Sequence, residues 1–195
     1  MHIILASASP RRRDLLAQLG IHPVIEPADI DESVLDGDEP VAYVRRLSIA
    51  KAAAVRPDAD DTTLVIAADT TVDLDGRILG KPADPGEARA MLRALSARTH
   101  RVHTGVTVRR GSHQATDVAT TLVTFTPITD AALEWYLATG ESYDKAGAYA
   151  MQGAAGVFVA AVKGSVSNVV GLPLTTVVEL ARAVGVELIT SPDLY

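Results

Sequence analysis

The opening of the chain constrains its fold more than any other stretch. Ile3-Ile4-Leu5 is a short apolar run that reads as a buried strand. Ser9 suits a helix N-cap and Pro10 the first helical position, where its missing N–H costs nothing; Leu15, Leu16 and Leu19 then share one helical face before Gly20. The predicted order is strand, small-residue loop, helix start, with Arg11, Arg12 and Arg13 on the first turn. Three cations at the positive end of a helix dipole repel it and one another unless an anion answers them. Exposed amides and bidentate guanidinium groups both suit phosphate oxygens, so this setting points to an anion site. A solvated basic face is the plainer alternative.

The remaining pattern alternates helices with hairpins and single strands. Residues 22–25 read as a short strand and 26–39, around Glu32, as an acidic loop, most simply a solvated one, which next to a phosphate-and-metal site could also supply a carboxylate to a divalent cation. Pro40 opens a helix with Val41, Val44, Leu47 and Ala54 on its apolar face and Lys51 near its end. Residues 63–68 form the most convincing central strand. Asp69-Thr70-Thr71 follows, and the strand continues through 72–74 to a turn at Asp75-Gly76. Asp is disfavoured inside a hairpin arm, so Asp69 is a candidate functional carboxylate rather than a turn residue.

After Gly80-Lys81-Pro82, Asp84, Pro85 and Glu87 start a capped helix with Ala88, Met91, Leu92 and Leu95 on one stripe. Residues 101–110 and 116–126 make a long antiparallel pair. Thr129 caps a helix ending at Gly140, and 141–153 form a polar loop containing Asp144, Lys145 and Gln152. Strands are expected at 157–162, 165–170 and 186–189, with a final helix between the last two stopped by Gly185. The expected architecture is an α/β domain over residues 1–195 with a mixed sheet flanked by helices.

Composition narrows the chemistry. Cysteine is absent, which removes disulfides and thiolate chemistry. The net charge of −6, with two Phe and one Trp, ill suits a nucleic-acid-binding surface. No apolar run approaches a membrane span and no leader is evident, so a cytoplasmic protein is expected. The chain carries fourteen arginines against four lysines, at 51, 81, 145 and 163, so each lysine is a candidate point charge. No Walker loop, nucleophile elbow or His-x-x-x-His pair occurs. Dispersed cations, a few carboxylates and no thiol or histidine base suggest metal-assisted phosphoryl chemistry.

Nearly end to end, the sequence resembles the Maf family of nucleoside triphosphate pyrophosphatases, whose fold is of the inosine triphosphatase-like type. The matching segments are Leu5-Ala6-Ser7-Ala8-Ser9-Pro10-Arg11-Arg12, Ile30-Asp31-Glu32, Ala50-Lys51-Ala52, Ala68-Asp69-Thr70 and Gly80-Lys81-Pro82. Thr99-His100-Arg101-Val102-His103-Thr104-Gly105, Asp144-Lys145-Ala146-Gly147-Ala148-Tyr149, Gln152-Gly153 and residues 164–173 complete the set. The resemblance implies hydrolysis of a nucleoside triphosphate to monophosphate and pyrophosphate with Mg²⁺ or Mn²⁺, in an elongated mixed sheet, with a homodimer as a further expectation.

By the same resemblance Asp69 is the general base, and Ser7, Arg12, Glu32, Lys51, Lys81 and Lys145 bind substrate. Glu32 and Asp69 are the carboxylates expected to meet the metal, an expectation that the resemblance itself does not supply. Arg11, Thr70 and Gln152 occupy the specificity positions, in a combination similar to the dTTP/UTP branch. Ala150-Met151 and Val166 depart from the family's usual residues. Two alternatives stay open: preference for methylated GTP, and a nucleotide-binding regulator of septum formation or division arrest that needs no catalysis. The intact Asp69 and lysines argue against the second.

Overall fold

The computed structural model describes residues 1–58 and 60–189. Its centre is strand β3 (Thr63–Leu74), twelve residues almost wholly buried on both faces. One edge of β3 pairs antiparallel with β5 (Thr99–Arg110), from Leu64 opposite Arg110 to Asp73 opposite Arg101. The other edge is shared. Strand β1 (His2–Leu5) lies parallel to its first part, with Leu5 opposite Ile66. Strand β4 (Arg77–Leu79) folds back on its last part, with Leu79 opposite Val72. Residues 67–71 therefore have no strand neighbour on this edge among the described residues, and the mixed sheet carries a gap there. With β2 (Val24–Ile25), β6 (His113–Phe125) and β7 (Val159–Lys163), the order is β2-β1-β3-β5-β6-β7, seven strands including β4 among the described residues.

Alternation along β3 sends its side chains into different cores. Val65 and Ala67 pack with Ala52 of helix α2 (Pro40–Ala54). Leu64, Ile66 and Ala68 pack on the opposite face against α1 (Pro10–Ala17) and α6 (Leu174–Ala183). Further along that face, Val72 and Leu74 join a second cluster with α3 (Pro85–Leu95) and α4 (Asp130–Ala138). Thr70 falls between the two clusters. This makes a waist in the molecule beside the gap in the sheet.

Helix α2 lies unusually close to the sheet. Gly105 stands opposite Asp69, and a Cβ placed on it would come within 2.3 Å of the Val44 carbonyl oxygen. Only glycine permits that approach. The buried face of α2 is Pro40, Val44, Leu47, Ser48, Lys51 and Ala52; Val41 is 45% exposed and Ala54 also faces outward, contrary to the periodicity read from the sequence. The serine and the lysine displace the apolar pair because each finds a partner in the sheet, Ser48 at Thr107 and Lys51 at Asp69.

Several expected elements hold. Asp84 accepts from the Glu87 amide and Thr129 from the Ala132 amide, so both predicted caps form. Others do not. Ser9 sits at the start of α1 without a side-chain cap bond. Strand β7 begins only at Val159, the preceding residues forming a short 3-10 turn. Residues 165–170, expected as strand, form helix α5 (Val166–Val170): Ser165 accepts from the Asn168 amide, and the Asn168 side chain donates to the Val102 carbonyl and the Thr121 hydroxyl. These bonds override the β preference of three valines. Residues 186–189 are not a strand either. The Val186 and Gly185 amides donate back to Ala181 and Arg182, closing α6 with Gly185 at φ +79°, so the Val186 amide is spent on the cap.

Candidate active site

A cleft of roughly 650 Å³ opens at the gap in the sheet and brings together every residue that the resemblance assigns to the site: Ser7, Arg11, Arg12, Glu32, Lys51, Asp69, Thr70, Lys81, Lys145 and Gln152; Arg13 and Lys163 lie outside it. These charged and polar groups share the lining with an apolar wall of Val72, Val102, Tyr149, Met151, Val169 and Val170.

The floor is an ion cluster. Lys51 Nζ donates to Asp69 Oδ1 at 2.6 Å and lies 2.8 Å from Glu32 Oε1. Lys51 and Asp69 are both 6% exposed. Asp69 shares the α2 face of the sheet with Val65 and Ala67, and Lys51 lies two helical turns beyond Val44, the point of closest approach. The geometry of α2 against Gly105 therefore sets the pair. Partial burial works against the Glu32 charge, but the Lys51 hydrogen bond and the charges of Lys51, Lys81 and Arg12 outweigh it and hold the carboxyl below its ordinary range. Tyr43, one residue before Val44, donates to the Glu32 carbonyl at 2.9 Å and ties the acidic loop down; burial and the charges of Asp69 and Glu32 push its hydroxyl up to about 12, so it stays a donor.

The three arginines separate. Arg13 pairs with Asp14 on the surface. Arg11 stands at the cleft mouth, 3.7 Å from Asp144. Arg12 turns inward, where Nε donates to the Gly171 carbonyl at 2.8 Å, Nη1 to Ser7 Oγ at 2.9 Å and Nη2 to Thr70 Oγ1 at 3.1 Å. Its partners are all neutral. Burial draws its pKa down against the pull of Asp69 and Glu32, yet a guanidinium stays charged, so a fixed cation faces the cleft without an ion-pair partner among the described residues.

The far wall is two loops latched together. The Gly147 amide donates to the Gly80 carbonyl at 3.1 Å, and Gly147, at φ +69°, lies so close to Val72 that a Cβ would meet its methyl at 2.8 Å. This sets Lys81 and Lys145 on one side of the cleft. Lys81 forms no ion pair among the described residues, while Lys145 binds Asp144 and the Glu141 carbonyl. Gln152 is exposed on the following turn, which Glu141 anchors by accepting from the Ala154 amide at 2.9 Å.

Among the described residues no three His, Cys, Asp or Glu side chains gather closely enough to form a metal cage. Two carboxylates converging beside a phosphate-sized cationic pocket do fit an ion such as Mg²⁺, which takes one or two protein carboxylates and completes its shell with water and phosphate oxygens.

Sequence reasoning missed Tyr43, Thr104, Gly105 and Glu141, which touch the named residues rather than announcing themselves. Gly105 inside an alternating strand was the one visible signal, since a strand glycine marks close backbone approach. Of the departures from the resemblance, Ala150 and Met151 line the cleft, whereas Val166 points outward, 54% exposed. His100 and His103 do not line it. His100 packs against Phe125 and Tyr149, and His103 bonds Asp73 and Thr120.

A mixed α/β sheet interrupted beside its central strand, with lysines, an arginine and two carboxylates converging on the interruption, defines an anion-binding protein equipped for phosphoryl chemistry. Comparison with known proteins gives the family: residues 2–184 match the model of the Maf-like proteins, and the chain belongs to that family. It is 53% identical over 190 residues to a protein of Anaeromyxobacter dehalogenans (strain 2CP-1 / ATCC BAA-258), covering 95% of each chain. It is 51% identical to one of Myxococcus xanthus, covering 95% of this chain and 94% of that one, and 50% identical to one of Moorella thermoacetica, covering 95% and 96%. All three relatives are named dTTP/UTP pyrophosphatase. Among solved structures, the Staphylococcus aureus Ham1 protein superposes with a TM-score of 0.43 at 17% identity, covering 67% of this chain and 73% of that one; at that score the likeness adds nothing to the assignment. No helix among the described residues is long and apolar enough to cross a membrane.

Proposed function

We propose that this protein hydrolyses dTTP and UTP to the nucleoside monophosphate and pyrophosphate. The observation that carries the reading is the buried Lys51–Asp69 pair on the open edge of β3, faced by Arg12, Lys81 and Lys145; relatives about half identical over nearly the whole chain and named for this activity support it.

Three tasks fall to the protein. The phosphates must be held, and Arg12, Lys51, Lys81, Lys145 and Ser7 offer charge and donors on several sides of the cleft. A water must be aimed at the α-phosphorus: Asp69 Oδ1 is taken by Lys51, while Oδ2 takes no hydrogen bond among the described residues and is left to orient the water and receive its proton. A carboxylate is a weak base, so most of the acceleration comes from positioning and from neutralising charge as pyrophosphate leaves. Glu32 and Asp69 would hold the metal, which supplies Lewis-acid neutralisation of the phosphate oxygens when bound. The pyrimidine ring belongs on the apolar wall, among Val72, Val102, Tyr149 and Met151, with Thr70, Arg11 and Gln152 around it.

The test is pyrophosphate release with Mg²⁺ from dTTP, UTP, CTP, GTP and 7-methyl-GTP, beside an Asp69→Asn control. Release from dTTP and UTP that the control abolishes is the expected result. Release confined to 7-methyl-GTP overturns the base preference, and no release from any triphosphate overturns the activity.

A further inference from the structure

A chain of hydrogen bonds behind Thr70 fixes which way its hydroxyl points. Arg12 Nη2 donates to Thr70 Oγ1 at 3.1 Å, since a guanidinium has no lone pair to offer. Thr70 Oγ1 lies 2.9 Å from Thr104 Oγ1, which in turn lies 3.1 Å from the Asn168 main-chain oxygen. That carbonyl only accepts, so the Thr104 hydrogen goes to Asn168, and the Thr70 hydrogen goes to Thr104. The reverse assignment leaves two oxygens 3.1 Å apart with no hydrogen between them, and sends the Thr70 hydrogen to the Gly171 carbonyl at 3.4 Å. In both assignments the hydrogen is turned into the protein. Thr104 is fully buried and lies outside the cleft lining, so it acts on a ligand only through Thr70.

Thr70 thus offers the cleft one lone pair and no donor. A lone pair repels phosphate oxygens, so Thr70 suits a donor on the substrate rather than a phosphate. Its neighbour along the strand on the same face is Val72, whose register partner is Val102, both in the apolar wall where a base would lie. We propose that Thr104 is a positioning residue for base selection: by holding the Thr70 hydrogen it presents an acceptor to the imide N3–H of uracil and thymine and rejects cytosine, whose N3 is itself an acceptor. This rests on the pyrimidine triphosphatase reading above.

UTP and CTP share sugar and triphosphate, so the ratio of their kcat/KM values isolates the base edge. Thr104→Val keeps the shape and removes the oxygen that holds the hydrogen. The Gly171 carbonyl at 3.4 Å holds it poorly, and the hydroxyl becomes free to turn towards cytosine N3. The UTP:CTP preference is expected to fall on the order of tenfold, the scale of one mismatched hydrogen bond, with Thr104→Ser keeping the wild-type ratio. Thr70→Val should abolish the preference as well, and alone decides the matter if Thr104→Val does not fold. An unchanged ratio in Thr70→Val or in folded Thr104→Val overturns the proposal, as does a change confined to the UTP:dUTP ratio, which would place a sugar hydroxyl at Thr70. A wild-type protein that cleaves neither UTP nor dTTP overturns the proposed function instead, and this inference with it.

Discussion

The Lys51 ammonium and the Asp69 carboxylate, 2.6 Å apart, are the buried ion pair of the cleft, joined from helix α2 and strand β3 across the face of the sheet. Asp69→Asn keeps the shape and a hydrogen-bond acceptor for Lys51 while removing the proposed base. Turnover is expected to fall roughly a thousandfold or more, with nucleotide affinity, read by calorimetric titration, changed only a few-fold. Turnover near wild type would reduce Asp69 to a tether for Lys51.

Removing the other partner has a different signature. Lys51→Met leaves the Asp69 charge buried and Glu32 without its nearest cation, which costs roughly 3–5 kcal/mol. At about 2–4 °C per kcal/mol for a chain of this size, the melting temperature should drop on the order of 10 °C. The double variant Lys51→Met with Asp69→Asn should recover much of that stability and none of the activity. Additive stability losses in the double variant would contradict the pairing.

The arginine triplet gives a graded series. Arg13→Ala removes a surface pair and should alter kcat/KM less than about twofold. Arg12→Lys keeps the charge but cannot donate at once to Gly171, Ser7 and Thr70, so kcat/KM should fall roughly a hundredfold. Arg11→Ala should shift the ranking of bases more than the turnover of the preferred one. Equal effects at all three positions would return the triplet to a general electrostatic role.

This triplet also marks where the sequence stops being legible. Strand, loop and helix start could be read from Ile3-Ile4-Leu5, Pro10 and the leucines; the three cations marked a candidate anion site, but Arg11 and Arg13 find carboxylates of their own. Which arginine turns inward depends on the Gly171 carbonyl, about 160 residues away, and on Thr70 across the waist. The alternating and capped elements at Asp84, Thr129 and residues 101–110 were readable because their signals are local. The valine-rich 165–170 segment was misread because its helix is held by Asn168 bonds to Val102 and Thr121 from other strands. Likewise the gap beside residues 67–71 comes from where β1 and β4 end, a property of pairing that no local pattern records.

Gly105→Ala tests whether the close seat of α2 sets the site. The new methyl would press on the Val44 carbonyl at 2.3 Å, and backbone cannot yield as a flexible side chain does. Overpacking of this kind costs about 1–3 kcal/mol, a fall of several degrees in melting temperature. Because Lys51 lies seven residues on from Val44, kcat should fall about tenfold even where the protein stays folded, with the loss larger in kcat than in KM. A stability loss with unchanged kcat would detach the helix seat from catalysis.

His100 supplies the pH dependence. It is 2% exposed, Nε2 lies 2.8 Å from the Tyr149 hydroxyl, and burial pushes its pKa down from 6.5 to about 4. The unfolded chain therefore takes up a proton near pH 6.5 that the folded chain refuses until about pH 4. Between those values the unfolded state binds more protons, so stability is intact above pH 6.5 and is lost as the pH falls towards 4, by on the order of 3 kcal/mol in all. Glu32, held below its ordinary range, pulls the same way at lower pH, but it is too exposed to matter as much. Urea denaturation at pH 7.5, 6.0 and 4.5 should show the decline in the wild type. In His100→Gln, which cannot take up the proton, most of the decline above pH 4.5 should vanish. A parallel decline in both proteins would assign the acid sensitivity to the carboxylates instead.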